Sequence, residues 1–167
     1  MSVLNILRWP DPRLSTVCAP VGQVTEDIRT LAADMLETMY AAPGRGLAAP
    51  QVGVLKRMFV MDATWKDGVR SPEIFIDPQI TLADAETAET EEGCLSIPGV
   101  VTPVTRPAWV EVQWRDLEGQ EHHRRFSEFA AACVQHEIDH LDGVVTLDRL
   151  DPEARARVLT VYDEVSV

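Results

Sequence analysis

Residues 127–141, SEFAAACVQHEIDHL, decide the fold of this 167-residue chain. Ser127 is a favoured N-cap residue and Asp142-Gly143 is a typical helix end, so the stretch predicts one helix of about four turns. Most of its side chains are apolar, and they occur on every face of the helix, which is typical of a helix inside a protein. We therefore expect a central helix against which the other elements pack.

The same helix contains His136-Glu137-Ile138-Asp139-His140, an H-E-x-x-H motif. Residues four apart share one face of a helix, so both imidazoles can reach one metal ion. Glu137 can then take a proton from a water that the metal activates. Two solvated histidines on a surface helix are the alternative. The apolar surroundings argue against it, because each buried polar side chain needs a partner and a metal supplies one.

A catalytic metal site has three protein ligands and one open position, so a third ligand must come from elsewhere in the chain. The extended peptidase pattern H-E-x-x-H-x-x-G-x-x-H fails at its last position, which is Thr146, a poor ligand. Glu153 and Glu164 follow further downstream, and a downstream glutamate is the other ligand that such peptidases use.

The three cysteines are also candidates for the third ligand. Cys133 lies in the helix itself, seven residues and about 10.5 Å before His140, so three ligands on one straight helix cannot surround a metal. Cys133 and Cys18 are therefore expected to be small core residues. Cys94 follows Gly93, which lets the backbone approach another group closely. Cys94 is thus favoured, with the two downstream glutamates as the alternative.

The rest of the chain predicts strands and two more helices. An apolar stripe at helical spacing runs from Thr25 to about Ala42, and Pro152 stands at the first position of a last helix. An acidic, Ala/Thr-rich stretch at residues 83–92 is expected to be exposed. The predicted strands are residues 57–63, 73–76, 109–115 and 121–126. Without a β-α-β rhythm, these elements indicate an α+β fold with antiparallel sheets around the central helix, formed as a single catalytic domain by residues 1–167.

Composition excludes several classes of protein. Fifteen Lys and Arg against 27 Asp and Glu give a net charge of −12, so no basic surface for direct nucleic-acid recognition is expected. No run of about 18 apolar residues could span a membrane, and the N-terminus lacks the apolar segment of a secretory signal. An odd number of cysteines, three, favours a reducing compartment.

Three segments together resemble the peptide deformylase family. Residues 44–51 (GRGLAAPQ) match the family's G-x-G-x-A-A-x-Q, residues 92–96 match E-G-C-L-S, and residues 135–140 match Q-H-E-x-D-H. They occur in the family's order and at its approximate spacing, and the resemblance extends to about Leu150. One segment alone would be weak evidence, but the three together are highly specific.

The resemblance implies roles for individual residues. Glu137 would act as the general base that activates water, and then as the acid that protonates the leaving amine. The amide of Gln51 and the backbone N–H of Leu95 would hold the formyl oxygen as negative charge develops on it. The metal would be one divalent ion per chain, most often Fe²⁺ in this family, with Zn²⁺, Ni²⁺ or Co²⁺ as substitutes. The implied metal ligands are Cys94, His136 and His140.

The implied activity is removal of the N-formyl group from the N-terminal methionine of newly made polypeptides, with release of formate. The implied partners are nascent formyl-Met polypeptides, met at the ribosome, with no nucleic acid and no membrane. The location would be the cytoplasm, or an organelle if the gene is eukaryotic. Two rival interpretations are a metallopeptidase with a downstream glutamate as third ligand and a non-catalytic module. An intact Glu137 argues against the second rival.

A methionine pocket beside the metal is also implied. Its expected residues are Gly46, Phe129, Cys133 and Arg45. Phe129 and Cys133 are four apart and His136 follows one turn later, so they can form a continuous wall. The chain departs from the common family pattern at Arg45, Thr90 and Ala132, where aliphatic or larger residues are frequent. Since a guanidinium is not buried without an acidic partner, we expect Arg45 to turn outward with only its backbone beside the substrate.

Overall fold

The computed structural model describes residues 2–165 and has the α+β fold that the sequence predicts. Its helices within this range are α1 (Glu26–Ala41), α2 (Glu128–Leu141) and α3 (Pro152–Val165). The second is the predicted motif helix, and the third begins at the expected proline. No helix among these residues is long and apolar enough to cross a lipid bilayer.

The strands of the described range form two sheets, and every pairing is antiparallel. The strands are β1 (Gly46–Ala48), β2 (Met58–Met61), β3 (Glu73–Ala83), β4 (Thr87–Cys94), β5 (Ile97–Pro107), β6 (Trp109–Arg115) and β7 (Glu121–Ser127). The larger sheet has the order β1-β2-β3-β6-β7, and β4 pairs with β5 in a separate hairpin. The short strand β1 is therefore an edge strand.

The central position of α2 follows from its composition. Every residue from Ala131 to Leu141 is buried. Val134 and Ile138 belong to a core cluster with aromatic side chains of the larger sheet, where the rings of Phe59 and Phe75 stack with centroids 4.4 Å apart. The polar residues of the motif are consequently held inside the protein, where a polar group without a partner is costly.

Helix α1 also follows the predicted pattern. The Thr25 hydroxyl accepts a hydrogen bond from the backbone N–H of Ile28 at 3.4 Å, which caps the helix. The apolar stripe buries Ala32, Met35 and Met39 in a second core cluster, which also contains residues of β1 and β2. This packing supports β1, the strand that leads into the region of the motif helix.

One predicted strand boundary was wrong. The strand expected at residues 73–76 continues through an irregular register to Ala83. Asp77 permits this continuation, because its carboxylate accepts the backbone N–H groups of Val21 and Gly22 at 2.7 and 3.1 Å while its own φ is 49°. The side chain thus fixes a bend that would otherwise end the strand.

Residues 83–92, expected to be exposed, are mostly exposed, although their sequence did not indicate a strand. Most of this segment is strand β4, whose outer residues are exposed but whose Glu92 is buried. Its pairing with β5 places Cys94 opposite Ile97 at the tip of the hairpin. The hairpin therefore carries the third candidate ligand towards α2.

The start of α2 lies where the sequence predicts it, but it is made differently. Ser127 is in the N-cap position, yet its side chain makes no capping hydrogen bond. Strand β7 runs directly into the helix, and Glu128 turns the chain with a φ of 55°. A non-glycine residue in this left-handed region costs about 1–2 kcal/mol, and the deep burial of the following residues compensates for it.

Candidate metal centre and adjoining cleft

Two separate elements bring the three predicted ligands together. Cys94 is at the tip of the β4–β5 hairpin, and His136 and His140 are one turn apart on α2. One possible ligand atom from each residue lies within 4.8 Å of the other two, and Cys94 Sγ is 3.5 Å from His140 Nε2. Across residues 2–165, this is the one group of His, Cys, Asp or Glu side chains close enough to hold a metal ion.

The spacing of these atoms fits a tetrahedral transition metal. Metal–sulfur and metal–nitrogen bonds of about 2.3 and 2.1 Å, at the tetrahedral angle, separate the two ligand atoms by about 3.6 Å. The 3.5 Å between Cys94 Sγ and His140 Nε2 agrees with that value. One thiol and two imidazoles favour transition metals over calcium or magnesium, and three ligands leave the fourth position open, as in catalytic sites.

The second ring nitrogens of the two histidines have different surroundings. His136 Nδ1 is 3.0 Å from Glu92 Oε1, so its Nε2 remains for a metal. A carboxylate behind a ligating histidine fixes the orientation and tautomer of the ring. His140 Nδ1 is buried and has no hydrogen-bond partner among the described residues. The Nε2 atom of His140 lies beside Cys94 and is the ring nitrogen that could bind a metal together with it.

The charges around the histidines favour a cation. Burial lowers the pKa of His140 well below its usual range, and the nearby charge of His136 lowers it further. Burial also lowers the pKa of His136, but Glu137, Cys94 and Glu92 outweigh that effect and raise it well above the usual value. The cluster therefore stabilises one positive charge at this point.

Buried ion pairs hold Glu92 in place behind the histidine. Arg106, on β5 and 5% exposed, donates to both carboxylate oxygens of Glu92 at 2.7 and 2.9 Å. It also donates to Asp139 at 2.8 Å, and Arg149 donates to the same aspartate at 2.6 and 3.1 Å. The Thr90 hydroxyl adds a bond of 2.8 Å to Glu92. The hairpin and α2 are thus joined by charged groups that position His136.

Sequence reasoning missed the parts that Glu92 and Arg106 play. The burial of Asp139 on an apolar helix did signal that a partner was needed, but the signal did not identify Arg106, 33 residues away in the chain. Burial alone would raise the pKa of Glu92, but hydrogen bonds from His136 and Arg106 outweigh that effect and lower the pKa to about 2. The carboxylate therefore stays ionised at neutral pH.

Glu137, the expected general base, directly follows the candidate ligand His136 on α2. The side chain is 4% exposed, and its Oε1 atom has no hydrogen-bond partner among the described residues. Burial, opposed by the charge of His136, raises the pKa of Glu137 to about 7. A carboxylate with a pKa near neutrality can both accept and return a proton.

Two glycines explain why the first motif must be glycine-rich. A Cβ atom at Gly46 would lie 2.6 Å from Glu137 Oε2 and 3.1 Å from Cys133 Sγ. A Cβ atom at Gly44 would lie 2.7 Å from a methyl carbon of Leu95. The backbone that enters β1 consequently lies directly against Glu137, and a side chain at either position would displace these neighbours.

Gln51 is held rigidly beside the candidate ligands. The side chain is 1% exposed, and its Oε1 accepts the backbone N–H of Ala48 at 3.0 Å. Its Nε2 donates to Ser96 Oγ at 3.0 Å and lies 3.7 Å from Cys94 Sγ. The amide nitrogen therefore points into the metal centre, and the fully buried Ser96, to which sequence reasoning gave no role, helps to aim it.

Leu95 is at the turn that joins β4 to β5, between Cys94 and Ile97. Its backbone N–H donates to no group within the described part of the chain. An N–H that is free and adjacent to a metal ligand can donate to an oxygen bound at the metal. This geometry is compatible with the role expected for Leu95.

A cleft of about 1010 Å³ opens beside the cluster, and all four expected pocket residues line it. Cys133 is buried, and burial raises the pKa of its thiol well above the usual value, so it is an inert wall residue. Phe129 is 46% exposed and lies nearer the surface than a methionine pocket wall would suggest. Thr90 and Ala132, the two departures from the family pattern, also line the cleft.

Arg45 differs from the expected outward orientation. Its guanidinium carbon lies 4.9 Å from the centroid of the Phe129 ring, so the side chain lies across a residue of the cleft. Its Nε atom is buried and has no hydrogen-bond partner among the described residues. Stacking on an aromatic ring allows this partial burial without an acidic partner.

The alternative ligands are placed elsewhere. Glu153 is highly exposed at the start of α3 and pairs with Arg157 at 3.2 Å, and Glu164 is exposed near the end of the same helix. Neither belongs to the candidate metal cluster. Cys18 is a buried core residue, as expected, and it too lies outside the cluster.

Comparisons with known proteins agree with this geometry. The sequence profile of polypeptide deformylases matches residues 3–156. A peptide deformylase of Afipia carboxidovorans is 45% identical over 166 residues, which cover 99% of this chain and 97% of that protein. One of Alkalilimnicola ehrlichii is 50% identical over 159 residues, covering 95% and 88%. The crystal structure of a peptide deformylase from Legionella pneumophila superimposes with a TM-score of 0.93 at 36% identity, covering 99% and 96%.

Proposed function

The chain belongs to the polypeptide deformylase family, and we propose that its buried Cys/His/His cluster carries out the family's reaction. The reaction is hydrolysis of the N-formyl amide at the N-terminal methionine of new polypeptides, which releases formate and a free amino group. The observation that carries the assignment of residues is the group of three ligand atoms within 4.8 Å, beside the buried Glu137. We further propose that residues 1–167 act as a single catalytic domain.

Cys94, His136 and His140 would hold one divalent metal ion, and we propose Fe²⁺, with Zn²⁺, Ni²⁺ or Co²⁺ as substitutes. When bound, such a metal supplies a Lewis acid that polarises the formyl group and makes water a nucleophile near neutral pH. Cys94 adds a negative charge to the ligand set, so the Lewis acidity is weaker than with a third imidazole. Glu92 keeps His136 in the orientation that presents Nε2.

Glu137 is proposed to move the proton. Its Oε1 has no hydrogen-bond partner in the part of the chain that the structure describes, so it can accept a proton from the attacking water and pass it to the leaving nitrogen of methionine. Gly46 leaves room for the Glu137 carboxylate, which a side chain at that position would displace. The pKa of about 7 makes both directions of transfer accessible at neutral pH.

Gln51 and Leu95 are proposed to stabilise the developing charge on the formyl oxygen. The Gln51 amide nitrogen is aimed by two fixed contacts, and the Leu95 N–H has no other described acceptor. A donor that is already oriented needs no reorganisation during the reaction, and one such donor is typically worth about 10²–10³ in rate.

The methionine side chain is proposed to occupy the cleft, between Gly46, Cys133 and Phe129, with Arg45 at its border. The apolar and sulfur-containing walls suit a flexible thioether. The natural substrates would be formylated nascent chains, met as they leave a bacterial-type ribosome. The reaction would therefore take place where those chains are made, in the cytoplasm or in an organelle.

The decisive test is release of formate from formyl-Met-Ala-Ser by protein loaded with Fe²⁺ under anaerobic conditions. We expect turnover, no formate or acetate from the acetyl-blocked peptide, and no cleavage of internal peptide bonds. Cleavage within unblocked peptides, without formate release from the formylated one, would instead support the metallopeptidase alternative.

A further inference from the structure

Some basic residues of the chain form ion pairs with acidic side chains, and others do not. Of the 15 Lys and Arg residues, ten form an ion pair within residues 2–165 and five do not. The five are Arg8, Arg45, Lys56, Lys66 and Arg70. Three of these, Arg8, Arg45 and Lys66, line the cleft beside the metal centre. In a chain of net charge −12, acidic partners are abundant, so this concentration of uncompensated cations is informative.

Arg45 is the most specific of the three. It stands between Gly44 and Gly46, one residue from the backbone that touches Glu137. Its Nε is buried without an acceptor, whereas its terminal nitrogens keep contact with solvent and donate to no described group. A guanidinium that is partly desolvated and already stacked on Phe129 loses little freedom when it binds a carboxylate.

We infer that Arg45, assisted by Arg8 and Lys66, makes this enzyme prefer formylated peptides that carry aspartate or glutamate among the residues after methionine. The inference rests on the proposed function and adds a preference within the substrate class. The chemistry is pairing of side-chain carboxylates with guanidinium and ammonium groups at the border of the cleft.

Acidic residues of the cleft oppose this preference only weakly. Glu92 is already paired with Arg106, and Glu137 is buried at the reacting end. Glu91 and Glu128 also line the cleft, but both are exposed. Charges that are fully hydrated are screened by solvent and salt more strongly than a partly buried guanidinium.

The test compares kcat/KM for formyl-Met-Glu-Ser, formyl-Met-Gln-Ser and formyl-Met-Lys-Ser. We expect kcat/KM for the glutamate peptide to exceed that for the glutamine peptide by about three- to fivefold at low ionic strength. This factor corresponds to the free energy of an exposed ion pair. The ratio should fall towards one in about 0.5 M salt, since the charges are accessible to screening. Arg45→Met keeps an apolar chain against Phe129 while it removes the charge, and it should abolish most of the preference.

Arg70→Met is the matched control. Arg70 also lacks an acidic partner within the described residues, and it lies over an aromatic ring, 4.0 Å from the centroid of Tyr40, but it does not line the cleft. This variant should keep the preference. A glutamate-to-glutamine ratio near one in the parent, or an equal loss of the ratio in both variants, would overturn the inference.

Failure of the proposed function would look different. It would appear as no formate from any of the three peptides, including the neutral one. The inference would then be decided by affinity of the metal-loaded protein for Met-Glu-Ser against Met-Gln-Ser. Tighter binding of the acidic peptide, lost in Arg45→Met, would support it, and equal binding would overturn it.

Discussion

Around the candidate metal ligands, Glu92, Arg106 and Asp139 are buried and each has a charged partner. At the mouth of the cleft, Arg45 has no acidic partner among residues 2–165, and Phe129 is half exposed. Burial of ion pairs costs much of the energy that pairing returns, so such networks are poor devices for stability alone. Here the network fixes the orientation of His136. The border of the cleft has no such constraint, so side chains there can change while the chemistry is retained.

Substitution of Cys94 should give the largest effect on the metal centre. In Cys94→Ser we expect loss or strong loosening of the metal and loss of activity, because a serine hydroxyl is a far poorer ligand than a thiolate. Cys18→Ser, a buried cysteine outside the cluster, should keep the metal. Metal content after gel filtration and competition with a chelator measure the difference. Stoichiometric, tightly bound metal in Cys94→Ser would remove Cys94 from the ligand set.

Glu137→Gln should separate binding from chemistry within the same centre. Glutamine has nearly the same shape but cannot accept the proton, so turnover should fall by about 10²–10⁴ while metal content and fold are kept. Steady-state kinetics, metal analysis and circular dichroism provide the three measurements. A variant within about tenfold of the parent in kcat would rule out Glu137 as the general base.

Glu92→Gln tests whether the buried network serves the metal. We expect metal affinity to fall by about 10–100-fold, the usual cost of losing the partner of a ligating histidine. The free energy of unfolding should also fall, because Arg106 loses its ionised partner in the interior. Glu111→Gln removes a more accessible pair with Arg125 and should change neither quantity by much. Equal effects of the two substitutions would contradict the distinction between the regions.

Phe129→Ala should have the smallest effect of the four. Selectivity for formyl-Met over formyl-Ala peptides should decrease by less than about tenfold, because Phe129 is 46% exposed. This lies at the low end of the selectivity that contacts in a hydrophobic pocket usually provide. Val161→Ala, with the same exposure but on α3, should leave selectivity unchanged. Competition assays with paired peptides measure the ratio. Unchanged selectivity in Phe129→Ala would place the methionine pocket deeper, at Cys133 and Ala132.

The helix and its pair of candidate ligands could be predicted from sequence because their signals are local. The spacing of His136 and His140 and the apolar residues around them lie within one segment, and the helix has the predicted extent. The resemblance then added Cys94, which the structure places within reach of both histidines. Local periodicity and short motifs are therefore sufficient for this part of the molecule.

Strand β4 and its contacts could not be predicted in the same way. Thr87–Cys94 is acidic and mostly exposed, so it lacks the alternation that indicates a half-buried strand. Its partner β5 contains three prolines, which usually argue against a strand. The link from Arg106 to Asp139 depends on this hairpin and on a contact across 33 residues, so no local pattern reveals it.

The candidate ligands add a further link between two elements of the chain that the contacts of Arg106 and Glu92 already join. Cys94 belongs to the two-stranded sheet, and His140, 46 residues later, belongs to the central helix. A metal that binds only the folded chain, at a thousand times its dissociation constant, stabilises it by about 4 kcal/mol. That is a large share of the roughly 5–15 kcal/mol that holds a domain together. Scarcity of the metal would therefore shorten the lifetime of the protein in the cell, since the unfolded fraction is what proteases remove.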